Sequence, residues 1–122
     1  MYPCPACGYL TFAEPPGSYD VCEVCGWEDD ALQLEFATTL AGGANVTTLA
    51  EAQQAFARRS MRVARKHPGA DVPRARDPSW RPIDVARDRF PAWSERAAAR
   101  ASASDESLYY WRATFWNREA AS

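Results

Sequence analysis

Cys4-Pro5-Ala6-Cys7-Gly8-Tyr9 and Cys22-Glu23-Val24-Cys25-Gly26-Trp27 hold all four cysteines of the 122-residue chain, as two copies of Cys-x-x-Cys-Gly-aromatic, with the fourteen residues Gly8 to Val21 between the two cysteine pairs. Two residues between thiolates let one tight turn aim both sulfurs at one ion. The glycine after the second can take the positive φ that swings backbone N–H groups toward them. Two such turns facing each other supply four sulfurs in a tetrahedron, so Cys4, Cys7, Cys22 and Cys25 are the predicted metal ligands. A complete four-thiolate set leaves no open position for substrate, which points to a structural ion, Zn2+.

Three rivals compete with zinc. Paired Cys-x-x-Cys-Gly knuckles also build the single-iron sites of rubredoxin-like electron carriers, and tetrahedral sulfur suits both metals, so Fe is the serious alternative. A disulfide framework needs an oxidising compartment. The opening Met1-Tyr2-Pro3-Cys4 has neither a basic n-region nor an apolar h-region, which gives the expectation of a cytoplasmic protein. A thioredoxin-like redox pair would stand at the end of a strand in a βαβ unit, and a repeated knuckle is not that context.

Hydrophobic residues make up 47% of the chain, but alanine supplies 23 of them while Leu, Val, Ile and Phe together number 18. That share is low enough to make an ordinary aliphatic core scarce. The 15 aromatic residues offset the shortage by area, and a metal that binds an unformed site contributes on the order of 10 kcal/mol to folding. The metal-free chain is therefore expected to lose its N-terminal half. No run approaches the roughly 18 apolar residues of a membrane span.

The net charge of −2 conceals an asymmetry. Met1 to Ala57 carries eight acids and no Lys or Arg, while all 14 basic residues and the other eight acids follow from Arg58 onward, so the two parts carry −8 and +6. Phosphate would be repelled by the first part. Either the acidic part docks on the basic part of its own chain, or an acidic face awaits a basic partner.

Along the chain, Leu10 to Ala13 is a predicted strand, Glu14-Pro15-Pro16-Gly17 a turn, and Ser18 to Val21 the return strand of a zinc-ribbon β-hairpin. Leu32 to Phe36 alternates apolar with polar at period two, which predicts another strand over 31–36. Glu28, Asp29 and Asp30 form a carboxylate cluster that can meet a cation or a basic protein, or can simply be a solvated turn. Thr48 and Glu51 form a capping box for a helix over Leu49 to Lys66 with Leu49, Ala52, Phe56 and Val63 on one stripe. Arg58, Arg59, Arg62, Arg65 and Lys66 crowd its end, suiting the helix dipole, and Pro68-Gly69 stops it. The chain from Gly69 to Pro91 is Pro-rich and irregular and should wrap over the domain as an ordered arm. Ser94 to Ser104 reads as an alanine-rich helix capped by Ser94. For 105–118, Asp105-Glu106-Ser107 suggests a helix start, whereas Tyr109, Tyr110, Trp111, Phe115 and Trp116 suit a strand; helix is the favoured reading. Tyr109, Tyr110, Trp111 and Trp116 are candidate partner-binding residues, since Tyr, Trp and Arg dominate interface energies.

Tyr2-Pro3-Cys4-Pro5-Ala6-Cys7-Gly8-Tyr9, the Pro16-to-Tyr19 turn, Cys22-x-x-Cys25 with Trp27-Glu28-Asp29-Asp30, and Gly42-Gly43-Ala44-Asn45 leading into the helix together resemble the bacterial cysteine-rich family named for an N-terminal Cys-Pro-Cys-Cys motif. The resemblance covers about the first 60 residues and implies that Cys4, Cys7, Cys22 and Cys25 hold the metal. Ala6 stands where the family's third namesake cysteine would be, so chemistry of adjacent thiols is absent while the four-ligand set survives. Members resemble small cytoplasmic proteins found among bacterial toxin and immunity genes, which implies a protein-binding role.

The sequence therefore predicts a small α+β protein: a zinc-ribbon hairpin and capped helix over 1–67, with a Pro- and aromatic-rich, partly helical extension over 68–122 packed on it. With one histidine, no nucleophile placed beside a base and a closed metal set, it is expected not to be an enzyme. The leading functional expectation is a protein-interaction module, an immunity-type inhibitor whose acidic face covers a basic toxin domain. The alternative is nucleic-acid binding through Arg58, Arg59, Arg62 and Arg65 with Trp111 or Trp116 stacking on bases.

Overall fold

Each cysteine knuckle closes its own antiparallel pair. In the computed structural model, which describes residues 1–100 and 104–117, the elements in chain order are β1 (Tyr2–Pro3), β2 (Leu10–Phe12), α1 (Ala31–Glu35), α2 (Leu49–Lys66), α3 (Glu95–Arg100) and a 3-10 turn (Glu106–Leu108), a small α+β fold. β1 pairs with β2 in the register Tyr2 to Phe12 and Pro3 to Leu10, and the first knuckle is the turn between them. Cys4 N–H donates to the Tyr9 carbonyl at 2.9 Å and Gly8 N–H to the Cys4 carbonyl at 2.6 Å. The second knuckle repeats this with Val21 opposite Glu28, Cys22 N–H on the Trp27 carbonyl at 2.8 Å and Gly26 N–H on the Cys22 carbonyl at 2.9 Å.

The single hairpin expected between Leu10–Ala13 and Ser18–Val21 is not formed. Pro15 and Pro16 offer no N–H to a ladder. Beyond them Tyr19 turns left-handed, at φ +63°, and directs the chain to Asp29 instead: Tyr19 N–H reaches the Asp29 carbonyl, and Asp29 N–H the Asp20 carbonyl.

The strand expected over 31–36 is also replaced, by α1. Asp30 caps it, its carboxylate accepting from Leu32 N at 2.9 Å and Gln33 N at 3.2 Å. The alternation would have turned Gln33 to solvent, whereas it is fully buried beside Leu34 and Leu32 is exposed. α2 has the predicted bounds and capping box. Its first turns bury Leu49 and Gln53, with Ala52 and Phe56 half-buried against the core. From Ala57 onward every residue is exposed, Val63 included, so the expected apolar stripe is closed only at its start.

The C-terminal arm is stitched to the first knuckle. Leu10 N–H reaches the Ala75 carbonyl and Asp77 N–H the Gly8 carbonyl, both at 2.8 Å. Trp80 lies over Gly8 and donates from its indole to the Pro5 carbonyl at 3.1 Å. A Cβ on Gly8 would sit 2.5 Å from that ring, so glycine is required there for space as well as for its φ of +82°. Gln53 joins three segments: its amide donates to the Pro5 carbonyl and to Tyr110 Oη, both at 2.9 Å, and its oxygen accepts from Ile83 N at 2.8 Å.

Ser94 Oγ accepts from Ala97 N at 3.0 Å at the start of α3; the rest of the helix expected to Ser104 includes 101–103, outside the described residues. Over 105–117 neither an α-helix nor a strand forms, and 118 lies outside the described residues. Asp105 caps the one 3-10 turn, after which Tyr109, Tyr110 and Trp111 are buried in succession. Neither period two nor period 3.6 buries three neighbours, so the chain runs irregularly through an aromatic core in which Tyr109 stacks on Trp111 with centroids 4.8 Å apart.

Asp77 clasps this segment to the arm. Its carboxylate accepts from Ser79 N and Oγ, from the Trp111 indole at 3.1 Å and from Arg112 at 3.0 Å. Burial opposes ionisation, but the Ser79, Arg112 and Trp111 hydrogen bonds outweigh it and lower the pKa from 3.8 to about 2. A folded-state pKa below the unfolded one stabilises fully above the unfolded value and is lost as pH falls through the folded one. Asp77→Asn should therefore lower the denaturant midpoint of the metal-loaded chain by the same amount at every pH from 5 to 8, where the Asp77 carboxylate is ionised in the folded and the unfolded chain alike. A midpoint that the substitution leaves unchanged would remove the carboxylate from this role.

Candidate metal centre

The two knuckles face each other and bring the four sulfurs together, all within 4.8 Å of one another. Cys4 Sγ stands 3.6 Å from Cys25 Sγ and Cys7 Sγ 3.8 Å from Cys22 Sγ. A tetrahedron with metal–sulfur arms of ~2.3 Å has edges of ~3.8 Å, so the spacing is that of four ligands around one ion. Cys4, Cys7 and Cys22 are buried and Cys25 is half-buried.

Electrostatics leads to the same place. Burial raises the Cys4 thiol well above its ordinary value. The Cys22 thiolate is favoured instead, by hydrogen bonds from Cys25, Cys4 and Cys7 and from the Thr11 hydroxyl at 3.2 Å. Without a cation the cluster must keep protons on some sulfurs in order to hold a charge on others. A divalent ion removes that conflict, and the donor set fits one.

The positive-φ glycines close the knuckles differently from the expectation. Gly8 and Gly26 N–H groups bond the carbonyls of Cys4 and Cys22, and the outer support comes from side chains. Arg76 donates to the Cys7 carbonyl at 2.9 Å while lying over the Tyr9 and Trp80 rings. Trp27 is buried in the same core cluster as Cys4, Cys7 and Cys22.

Of the three carboxylates considered for a partner, Asp29 and Asp30 are only 3% and 6% exposed. Asp29 accepts from Ser18 N at 3.1 Å and Oγ at 2.6 Å, and burial raises its pKa. Asp30 caps α1 with one oxygen and accepts from Ala44 N at 3.0 Å with the other. Glu28 is half-buried. Tyr109, Tyr110 and Trp111 belong to the core, whereas Trp116 is 47% exposed. Among the described residues one ion pair, Arg74 with Glu23, joins the acidic part of the chain to the basic part.

Two residues with large structural roles escaped sequence reasoning. Gln33 and Gln53 are buried amides, and no one-dimensional pattern marks an amide that bonds residues up to 57 positions away. Beside the second knuckle lies a groove of about 370 Å³ whose walls include Trp27, Val46, Ala52, Ala55, Phe56 and Arg59.

Two cysteine knuckles meeting in one four-sulfur cluster on a small α+β scaffold define a cysteine-rich protein able to hold a metal ion. The profile of the family described as Cysteine-rich CPCC matches residues 2–70, more than half of the chain, and the chain belongs to that family. No curated protein matches it. Among the described residues no helix is long and apolar enough to cross a membrane.

Proposed function

We propose that this chain is a non-catalytic, cytoplasmic zinc-binding module whose metal is structural and whose outer surface binds another protein. The observation that carries the reading is the closed set of four sulfurs, with paired contacts of 3.6 and 3.8 Å. Four protein ligands leave an ion no position for substrate. Zinc supplies charge neutralisation and a cross-link between the knuckles, without redox chemistry. Iron in the same sulfurs would make a single-electron carrier.

In its finer form, which the family resemblance supports, the protein is an immunity-type inhibitor of a bacterial toxin. Nucleic-acid binding has less behind it: of the two aromatics considered for stacking, Trp111 is in the core. Elemental analysis of the purified chain, with co-expression of the product of the adjacent gene, tests both levels. One zinc per chain in a colourless preparation, and a complex that survives gel filtration, are the expected results. A red-brown, iron-loaded protein would replace zinc in this account, and an adjacent toxin that remains active and unbound would remove the immunity role.

A further inference from the structure

The charge asymmetry of the sequence is redistributed by folding. In the acidic part, the carboxylates of Asp29, Asp30 and Glu51 are engaged by hydrogen bonds within the chain and Glu23 by Arg74. In the basic part, Arg81 pairs with Asp88, and Arg112 with Asp77 and Glu106. Arg76, Arg87, Arg89 and Arg96 also make no ion pair among the described residues, but the densest run of left-over cations is on α2. Arg58, Arg62, Arg65 and Lys66 are exposed and, among the described residues, make no ion pair.

At roughly 100° per residue, Arg65, Arg58, Arg62, Lys66 and Arg59 fall within an arc of roughly 120°, and from residue 58 to residue 66 the stripe runs about 12 Å along the axis. It sits beside the groove of about 370 Å³, with Arg59 belonging to both. Arg59 holds its place by donating to the Cys25 carbonyl at 3.5 Å and lying 5.3 Å over the Phe56 ring. Cations along one edge of a groove of mixed lining, with Val46, Ala52, Ala55 and Phe56 among its apolar residues, favour a ligand that carries carboxylates beside a large apolar side chain.

We propose that the outer stripe of α2 and the groove beside it form one docking surface for an acidic protein segment, with carboxylates on Arg58, Arg62 and Arg65 and an apolar side chain between Phe56 and Val46. This rests on the protein-binding reading above and names the partner's chemistry. A protein segment fits better than a nucleic acid for two reasons. The chain's net charge is −2, so a phosphate polymer longer than the stripe meets a field that repels it. Of the groove's aromatic residues, Trp27 is buried and Phe56 is half-buried with Arg59 already lying over its ring, which leaves little ring face for a base to stack on.

The test is selection from a random dodecapeptide phage library on the metal-loaded full chain, followed by titration of the selected peptides. Peptides rich in Asp and Glu with at least one large apolar residue are expected. Reversing the stripe in Arg58→Glu/Arg62→Glu/Arg65→Glu should weaken them at least about tenfold and flatten the salt dependence. Filling the groove with Ala55→Trp should weaken them by a similar factor while leaving the salt dependence intact. All four positions are exposed, so circular dichroism and metal content should match the native chain. Selected peptides that are not acidic, or that bind the reversed chain equally well, would overturn the inference while leaving the protein-binding reading in place. A library that yields no binder would count against both. A 12-base-pair DNA duplex binding more tightly than any selected peptide would assign the stripe to nucleic acid and overturn the inference.

Discussion

Removing the metal with a strong chelator is expected to unfold the whole described fold, with loss of helical circular dichroism and a red shift of tryptophan emission. A metal bound by an unformed site contributes on the order of 10 kcal/mol, comparable to the entire stability of an ordinary domain at roughly 5–15 kcal/mol. Little stands behind it here. Cys4, Cys7 and Cys22 are themselves part of the core, in which the buried leucines are Leu34, Leu49 and Leu108. The loss should also spread beyond the knuckles. Gln53 and Trp80 both hold the Pro5 carbonyl and Arg76 holds that of Cys7, so the arm and the aromatic segment are anchored on the first knuckle. The N-terminal half is thus not expected to fail alone.

Single substitutions grade the same effect. Cys4→Ser, at a fully buried ligand, should abolish stoichiometric metal, whereas Cys25→Ser, at the half-buried one, should keep weakened binding because water can complete a three-thiolate site. A metal-free chain that stays protease-resistant with native tryptophan emission would contradict this picture of the fold.

How much of this was legible in the sequence depends on the length over which each signal runs. The knuckles were readable because ligand spacing is a local geometric demand, and α2 because eighteen residues carry both a capping box and a stop. α1 has five residues, fewer than two helical turns, and over so short a window the alternation of Leu32, Gln33, Leu34, Glu35 and Phe36 imitates a strand. Its own signal was present in Asp30, a good N-cap, but was absorbed into a reading of three solvated acids. The segment from Tyr109 to Trp111 was illegible for a different reason. Its conformation is set by what it fills, and the Asp77 clasp and the Gln53 amide that hold it come from residues far away in sequence. The charge division was real in the sequence, but only the fold shows which carboxylates are engaged. Two of the three carboxylates at 28–30 are thereby engaged, and the densest run of exposed, unpaired cations among the described residues is on α2.

Gln33→Leu is expected to cost about 3 kcal/mol, since each orphaned buried polar group costs roughly 1–3 kcal/mol and some of those exposed by the change will find water. The amide is completely buried and holds the 40–47 loop from inside. Its nitrogen faces the carbonyls of Leu40, Asn45 and Thr47 at 3.1, 3.1 and 2.9 Å, and its oxygen accepts from Asn45 N and Nδ2 at 2.8 and 2.9 Å. Two amide hydrogens serve three carbonyls, so one bond is shared. Gln33→Glu separates the loss of hydrogen bonds from the loss of shape. It keeps the shape but turns a carboxylate toward three carbonyl oxygens, and at neutral pH should be worse than Leu. Lowering the pH should narrow that difference as the new carboxyl takes up a proton. Denaturant midpoints of both variants across pH 5 to 8 measure it, and a Glu variant as stable as the native chain at neutral pH would show that the three carbonyls do not depend on this amide. The damage should be local at first. Asn45 also joins the Glu28 backbone in both directions, at 2.8 Å each, so a loosened loop releases the strand that closes the second knuckle together with Val46 at the edge of the groove. Faster amide exchange at Asn45 and Thr47, and faster transfer of metal to a competing chelator, should therefore appear before any change at the first knuckle, where Gln53 and Trp80 still hold Pro5.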